Sequence, residues 1–562
     1  LHAMQVWAYA ACVTVSAKPE PFSLSPDAKR VFVGLMLGMF VASISQMIVS
    51  PAMPRIVAEL GGMDHYSWVA IAAMLVAAVT TPIVGKLSDL YGRRGFYIGG
   101  LAVFMVGSIV AGFAQSFAML IVGRAIQGFG MGTLMPLSQT IIGDLIPARQ
   151  RGKYQGIMGS VFGLSSVLGP IAGGFITDRW GWRALFFVAL PVGLAALFFI
   201  VRNLHLPHQR RDAKVDVAGI VLLTIGLTTS LLATSWGGTT HPWTSTTILG
   251  LFAIGFVALV AFVWVETRAE EPVLPLRLFT SSVFSWSAVA TFAIAMAMFG
   301  AMIYIPVFAQ GVVGVDATNS GLVLMPMMLG MIVLGIIAGA VVTRTGRYKA
   351  IMLSGVAIMA AGAWLLTRMD HTATQTQLTV AMVVFGIGLG MAMQLYTLVV
   401  QNAASARDMG VATASTQFFR SVGSTVGIAV LGTVMTSGLA DAIKGHLPAA
   451  VLQQMAASGN GGGISAGSVL DPEKLKALPP VVADAVRQGL AEQLHEVFLL
   501  GLPILAVAFI ATLFIKHVPL RETVHAHEDQ KRHDVEDFGH DLLDTMGATP
   551  DEREEREPVP AR

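Results

Sequence analysis

Long apolar segments recur along this 562-residue chain, and they restrict it to one class of fold. Each segment has about 17–25 residues, the length that a helix needs to cross the hydrocarbon core of a bilayer. In lipid every backbone N–H and C=O group must be hydrogen-bonded within the protein, so such segments form helices. Charged residues make up 12% of the chain, about half of the roughly 25% that is usual in soluble domains. The sequence therefore predicts an all-α membrane protein.

Fourteen segments have spanning length, and the loops between them indicate the topology. We expect the first over Val31–Met53, the thirteenth over Met409–Thr436 and the last over Val497–Ile515. An even number of spans places both termini on one side of the membrane. The lysines and arginines of the short loops are concentrated on alternate loops, and such loops face the cytoplasm. We therefore expect a multi-pass protein of the cell (plasma) membrane with both termini in the cytoplasm.

A basic turn joins the second and third segments, and a weaker copy follows a later span. The first turn runs over Gly85–Arg94 and the second over Gly339–Tyr348, with two glycines and an arginine at the same offsets. A repeated turn in a polytopic protein indicates two related halves that move against each other, as in carriers. A carboxylate near a helix N-terminus is stabilised by about 0.3–1 kcal/mol. Such a contact can form in one conformation of the two halves and break in the other. The candidate gating residues here are Gly85, Asp89, Gly92, Arg93, Arg94 and, at the same face, Asp144.

Two arginines lie well inside predicted spans, Arg124 in the fourth and Arg420 in the thirteenth. An arginine at mid-depth costs at least roughly 2.5–3.5 kcal/mol, so each is expected to face the bundle interior or a wet cavity. Arg124 is followed by Gln127 and Gly128, and we take these two residues together with Arg124 and Arg420 as gating or coupling candidates. A structural hydrogen-bond centre is the alternative for both arginines.

The fifth predicted span carries a kinked and closely packed sequence, Gly169-Pro170-Ile171-Ala172-Gly173-Gly174. Small residues four apart allow helix backbones to approach closely. The proline removes one backbone hydrogen bond and bends the span. We expect Gly169, Pro170, Gly173 and Gly174 to form a gating seam, with an ordinary packing face as the alternative.

Methionine is abundant, with 29 residues, and several methionines lie in spans expected to border a central cavity. Flexible methionine and aromatic side chains repack around apolar guests of different shape. Lipid or core contact is the alternative for each residue taken singly. The expected pocket residues are Met36, Met39, Phe40, Gln46, Met296, Met298, Phe299, Met391, Met393, Gln394 and Tyr396.

The sequence offers no catalytic or metal-ligating constellation, so it predicts neither an enzyme nor a cofactor. The single cysteine, Cys12, cannot form a disulfide within the chain, and no Cys/His spacing predicts a metal site. The glycines of Ser458–Gly463 lack the lysine and strand context of a phosphate loop, so we expect no nucleotide. Scattered basic residues and a net charge of +2 do not favour nucleic acid.

Taken together, these motifs resemble the major facilitator superfamily, and within it the fourteen-span drug:proton antiporters of the actinobacterial multidrug-efflux type. The resemblance covers nearly all of residues 31–520. It rests on Gly85–Arg94, Arg124–Gly130, Gly169–Gly174, Trp182-Arg183, Glu271–Phe279 and Phe418–Arg420.

The resemblance implies a fold of two six-helix bundles plus two inserted helices. The expected parts are an N-terminal cytoplasmic segment (1–30), a first bundle (31–203), a linker with the inserted helices (204–284), a second bundle (285–517) that includes an extracellular loop (437–494), and a disordered cytoplasmic tail (518–562). It further implies a monomer that binds a small-molecule substrate centrally and exchanges it for protons across the lipid bilayer.

One position departs from the family pattern and bears on proton coupling. Where the family's first span usually carries an aspartate, this chain has Ser45, and a serine cannot exchange protons at accessible pH. Ser165 likewise replaces a glycine of the fifth-span motif. If protons are coupled, the candidate carriers are Asp89, Asp144 and Glu59.

Three functions remain open at this stage. The first is a proton-coupled efflux pump for amphipathic or hydrophobic compounds, of the kind associated with antibiotic resistance. The second is a dedicated exporter of one lipid, siderophore or secreted metabolite. The third is a non-transporting membrane scaffold or sensor.

Overall fold

The computed structural model describes residues 24–60, 68–205, 215–238, 240–314, 323–448 and 480–521. Within these ranges, fourteen helices are long and apolar enough to span a membrane, as the sequence predicts. They are α1 (Pro26–Met47), α2 (Trp68–Tyr91), α3 (Arg93–Gly112), α4 (Phe117–Leu145), α5 (Ala148–Trp180), α6 (Ala184–Asn203), α7 (Val217–Trp236), α8 (Thr246–Glu266), α9 (Ser282–Phe308), α10 (Met325–Thr345), α11 (Tyr348–Thr367), α12 (Gln375–Ala403), α13 (Met409–His446) and α14 (Pro480–Phe514).

The helices form two halves, each with its own buried core. Helices α1–α6 enclose apolar side chains such as Leu35, Phe104 and Leu134, whereas α9–α14 enclose others such as Phe385 and Leu494. Helices α7 and α8 pack against each other and stand between the halves. The expectation of two six-helix bundles with an inserted pair is therefore confirmed.

A separate apolar cluster attaches the inserted pair to both halves. It joins Val79 of α2, Leu223 of α7, Phe262 of α8 and Ala412 of α13. The chain between α8 and α9 contributes Leu274 to the same cluster. This chain segment, residues 267–281, therefore lies where the two halves meet.

Polar residues at the helix starts satisfy backbone N–H groups that have no partner within the helix. Ser116 accepts the N–H of Met119 at the start of α4. Thr374 and Gln377 form a reciprocal capping box at the start of α12. These local contacts help to set where α4 and α12 begin.

Both copies of the repeated basic turn contain a glycine with positive φ at the same offset. Gly92, between α2 and α3, has a φ of 98°, and Gly346, between α10 and α11, has a φ of 70°. Side chains other than glycine are disfavoured at positive φ, which is why glycine occupies both turns. The internal repeat seen in the sequence thus corresponds to equivalent turns in the two halves.

Some helix ends differ from the sequence prediction. Helix α1 ends at Met47, and Pro51 lies in a short 3₁₀ turn before a surface helix over Met53–Leu60. Helix α13 extends to His446 and α14 begins at Pro480, so both flanks of the expected loop 437–494 are helical. The prediction ended these helices where polar residues follow the apolar stretch. The helices continue because they still pack against each other beyond that stretch. Residues 1–23, 449–479 and 522–562 of the expected termini and loop lie outside the described residues.

We predict that Gly386→Ala destabilises the second half. Helix α12 packs so closely on α10 that a Cβ at Gly386 would collide with the carbonyl oxygen of Met327. Such overpacking costs about 1–3 kcal/mol. Gly99→Ala on α3 is the matched control, because a Cβ there would meet nothing within 4 Å. Thermal unfolding in detergent, followed by tryptophan fluorescence, should show a lower midpoint for Gly386→Ala alone; equal midpoints would contradict the packing.

Candidate functional site

A cavity opens between the two halves, with about 1200 Å³ of empty space including its mouth. Four helices of the first half (α1, α2, α4 and α5) and the four equivalent helices of the second half (α9, α10, α12 and α13) line it. Its lining is mostly apolar with a few polar groups, as is usual for sites that bind small molecules. The walls carry Met39, Met74, Met131, Met135, Met158, Phe162, Met298, Phe299, Met331 and Met393.

The structure brings some of the expected pocket residues together and places others elsewhere. Met39, Gln46, Met298, Phe299, Met393 and Gln394 line the cavity, and so does Arg420, which was expected as a gating or coupling residue. Met36 and Phe40 instead pack against the core of the first half. Met296 packs beside Gly427 of α13.

Tyr396 is the clearest displacement from the expected pocket. It is fully buried within the second half, and its hydroxyl lies 2.6 Å from the hydroxyl of Thr512 on α14. Helical rotation between Gln394 and Tyr396 turns the tyrosine away from the cavity. Its expected pocket role is therefore corrected to a contact between helices.

Sequence reasoning missed several lining methionines on α2, α4, α5 and α10. Met131 and Met135 of α4 are four residues apart, and Gln139 follows at the same interval. Residues at this interval share one face of a helix. This spacing was the signal in the sequence that could have identified the lining face of α4. It was missed because apolar residues occur on every face of the helix.

Arg124 is a buried hydrogen-bond centre of the first half, with 1% of its surface exposed. Its Nε donates to the carbonyl oxygen of Val69 at 2.9 Å, and its Nη1 donates to the Ser45 carbonyl at 3.2 Å. Nη1 also donates to Gln127 Oε1 at 2.8 Å, and the Gln127 amide donates to Ser108. The side chain thus ties α1, α2, α3 and α4 together through neutral oxygens.

Ser45, the residue that replaces the family's aspartate, lies beside this arginine. Its hydroxyl is 3.5 Å from Arg124 Nη1. The position where the family carries a carboxylate is therefore occupied by a neutral group in contact with Arg124. The site does not provide a titrating acid at this place.

The fifth-span motif packs against the end of α1. A Cβ at Gly169 would collide with Met47, and one at Gly173 would collide with the Ile48 carbonyl oxygen. Pro170 lies inside α5 between them, and Gly174 faces open space. The seam is therefore a contact within the first half.

The basic turn forms a network at one face of the bundle, here called the basic face. The Arg93 guanidinium donates to Asp89 at 2.8 Å and also pairs with Asp144 of α4. Asp89 in turn accepts the backbone N–H groups of Gly410 at 3.2 Å and Val411 at 2.9 Å. Because these N–H groups begin α13, the carboxylate of the first half caps a helix of the second half.

A second set of ion pairs crosses the same face through the segment between α8 and α9. Glu271 accepts Lys86 Nζ of α2 at 2.7 Å and also pairs with Arg407, which precedes α13. Burial tends to raise the pKa of Glu271, but the hydrogen bond and charge of Lys86, together with Arg407, hold this pKa below its ordinary value of 4.5. The carboxylate is therefore ionised at neutral pH and joins both halves.

Close backbone contacts accompany these charges. A Cβ at Gly85 would collide with Ala414, and one at Gly339 would collide with the carbonyl oxygen of Gly152. Arg94 donates to the Val201 carbonyl at 2.8 Å, at the end of α6. We propose a gating role for Lys86, Asp89, Arg93, Asp144, Glu271 and Arg407 and refer to them together as the gate; in this structure their contacts join the two halves at the basic face.

Glu59 lies at the opposite face and is a poor candidate for a proton carrier. It accepts the Trp182 indole N–H at 2.7 Å and pairs with Arg183. Hydrogen bonds from Arg183 and Trp182 hold its pKa below the ordinary value of 4.5. A carboxylate in this setting stays ionised throughout the neutral range.

Comparisons with known proteins agree with this architecture. A family model described as the Major Facilitator Superfamily matches residues 35–428. The multidrug transporter protein MdtP of Bacillus subtilis is 39% identical over 504 residues, covering 87% of this chain and 93% of that protein. Multidrug resistance protein 3 of the same organism is 35% identical over 507 residues, covering 88% of this chain and 97% of that protein.

A solved structure shares the fold. The human organic anion transporter MFSD10 (TETRAN) superposes with a TM-score of 0.56 at 16% identity, covering 86% of this chain and all of that one. At this identity the likeness establishes the fold alone.

We predict that Glu271→Gln opens the gate. Without the carboxylate charge, Lys86 and Arg407 lose their shared partner, and the pair with Arg407, whose side chain is 46% exposed, alone contributes up to about 1 kcal/mol. A thiol introduced as Ser421→Cys, in a Cys12→Ser background, should then react roughly fivefold faster with an impermeant reagent supplied at the basic face. Asp27→Asn, which disrupts an exposed pair with Arg30, is the control.

The pH dependence of the same labelling follows from the lowered pKa. The stabilisation by ionised Glu271 is complete above its ordinary value of 4.5 and is lost as the pH falls below it. Below that value, the labelling rate of the protein with Glu271 intact, divided by the rate of Glu271→Gln at the same pH, should rise toward one, because protonation of the thiol slows both reactions alike. An identical acid response in Glu271→Gln would assign the effect to another group.

Proposed function

This chain belongs to the Major Facilitator Superfamily, and from that premise we propose that it is a secondary active exporter of amphipathic and hydrophobic compounds. The observation that carries the proposal is the cavity between the halves, which eight helices line in two equivalent sets of four. A central site between two related bundles suits alternating access, in which the halves rock about a bound substrate. Relatives named as multidrug transporters at 35–39% identity support the same activity.

The chemistry of the walls favours a broad range of substrates. Methionine side chains come from α1, α2, α4, α5, α9, α10 and α12, so flexible thioethers surround the space. Such side chains adapt to guests of different shape without leaving voids. Multidrug efflux, with a role in antibiotic resistance, fits this lining better than a site for one cargo.

The orientation of the gate completes the proposal. Basic loops face the cytoplasm, so the basic face is the cytoplasmic one and the protein lies in the plasma membrane. We propose that this structure represents the state in which the gate is closed and the cavity opens toward the opposite side, where an exporter releases its substrate. One chain supplies both halves of the cavity, which supports action as a monomer.

Proton coupling is proposed at the gate rather than in the cavity. Among the described residues that line the cavity, none is acidic. Asp89 has 6% of its side chain exposed, pairs with Arg93 and caps α13. Protonation of Asp89 removes the charge that these partners stabilise, which loosens the gate and favours opening to the cytoplasm. A membrane potential of 100 mV then supplies about 2.3 kcal/mol per charge moved.

Transport through the cavity is tested by filling it. In proteoliposomes with an imposed pH gradient, the neutral dye Nile red should be moved by the protein as it stands. Ser424→Trp places an indole in the cavity and should lower the initial rate by more than about tenfold. Val106→Trp on the membrane-facing surface, where Val106 is 52% exposed, is the control. Equal rates in both variants would exclude this cavity as the route.

The place of proton coupling is tested by Asp89→Asn. Because asparagine cannot exchange a proton, dye should still move down its gradient but should no longer release protons from everted vesicles. Asp27→Asn should retain proton release, since Asp27 is exposed and remote from the gate. Full proton release by Asp89→Asn would place the coupling group elsewhere.

A further inference from the structure

Arg420 lies in the spanning part of α13, lines the cavity and is partly buried. Within the part of the chain that the structure describes, its guanidinium has no hydrogen-bond or ion-pair partner. A charge inside the membrane costs at least about 2.5–3.5 kcal/mol on insertion scales. An arginine that bears this cost without a protein partner is expected to pair with something that enters the cavity.

Arg124 shows how the same chain accommodates an arginine that has a structural role. Its nitrogens donate to the Val69 and Ser45 carbonyls and to Gln127 Oε1, and the side chain is 1% exposed. These bonds satisfy the guanidinium within the protein and leave little surface for a ligand. Arg420 has neither feature, so a structural role of this kind does not account for it.

The surroundings of Arg420 are polar on one side and apolar on the other. Gln417, Ser421, Ser424 and Thr425 flank it on the same face of α13. The opposing walls carry the methionines and phenylalanines of α1, α5, α9 and α12. A ligand that complements this cavity has a polar head toward α13 and an apolar body toward the other walls.

The sign of the charge determines which polar head fits. Arg420 is the one formally charged side chain among the described residues that line the cavity. A cationic amphipath would bring a second positive charge beside it with no carboxylate nearby. The planar guanidinium instead matches a carboxylate or sulfonate, to which it donates two parallel hydrogen bonds.

We propose that the cavity binds amphipathic organic anions, with the carboxylate or sulfonate on Arg420 and the apolar body among the methionines. This inference rests on the proposed function and specifies its substrate class. Neutral amphipaths still bind through the apolar walls. Amphipathic cations bind less tightly than neutral compounds of the same size.

Three dansyl probes of similar size and different charge test the proposal: N-dansyl-6-aminohexanoate, its neutral amide, and the cation dansylcadaverine. Dansyl fluorescence measures their Kd values on the full-length protein in detergent. We expect the anion to bind at least about tenfold more tightly than the cation, with the amide between them. Equal affinities, or tighter binding of the cation, would overturn the proposal without any variant being needed.

Two variants then assign the preference to Arg420. Arg420→Gln should remove the order of affinities, because the anion should bind less tightly and the cation more tightly. Arg420→Lys keeps the charge and should retain part of the order. Gln417→Leu, which changes a neutral neighbour, should shift all three affinities by a similar factor. Preserved anion preference in Arg420→Gln would overturn the assignment, provided its unfolding midpoint matches that of the unmodified protein.

Failure of this inference and failure of the proposed function have different signatures. Movement of neutral Nile red, together with equal affinities for the three probes, keeps the exporter and overturns the anion site. Tight anion binding that competes with Nile red transport supports both. Absence of Nile red transport, with no effect of Ser424→Trp, overturns the exporter and the inference that depends on it.

Discussion

The cost of removing a charge from water determines where the charged groups of this protein lie. Arg124 is accommodated inside the first half because Val69, Ser45 and Gln127 supply oxygens for its guanidinium. The carboxylates are instead found at the membrane faces, where Asp89 caps α13 across the interface between the halves. Among the described residues that line the cavity between these levels, the one charged side chain is Arg420. The cavity is therefore lined by neutral side chains and one arginine, whereas the proposed gate contains both acidic and basic side chains.

The gate includes a residue from the segment that follows the two inserted helices, and a twelve-helix protein would not need this segment. The segment that follows the inserted helices carries Glu271, which pairs with Lys86 of one half and with Arg407 of the other. The same segment supplies Leu274 to an apolar cluster shared with α2 and α13. The inserted pair is therefore attached to the interface between the halves by both charge and apolar contact.

Much of the candidate site could be predicted from sequence, and its limits have a physical cause. The turn around Gly92 was recognisable from the sequence, because glycine, aspartate and arginine lie close together there at the boundary between two predicted spans. The role of Glu271 was not, because its partners are 185 and 136 residues away and only folding brings them together. Tyr396 and Met393 are three residues apart and equally apolar in context, yet one packs on Thr512 and the other lines the cavity.

The sequence alone determined the fourteen spans, the two related halves and the boundary turns, because lipid requires long apolar helices and penalises charges within them. These are local properties that each segment carries irrespective of its neighbours. Tertiary structure decided which face of each helix lines the cavity and how Asp89 and Glu271 connect the halves. It also decided that Arg124 has hydrogen-bond partners within the protein and that Arg420 faces the cavity. In a helix that is apolar on every side, periodicity does not distinguish lipid, core and cavity, so only the packing of all the helices assigns each face its environment.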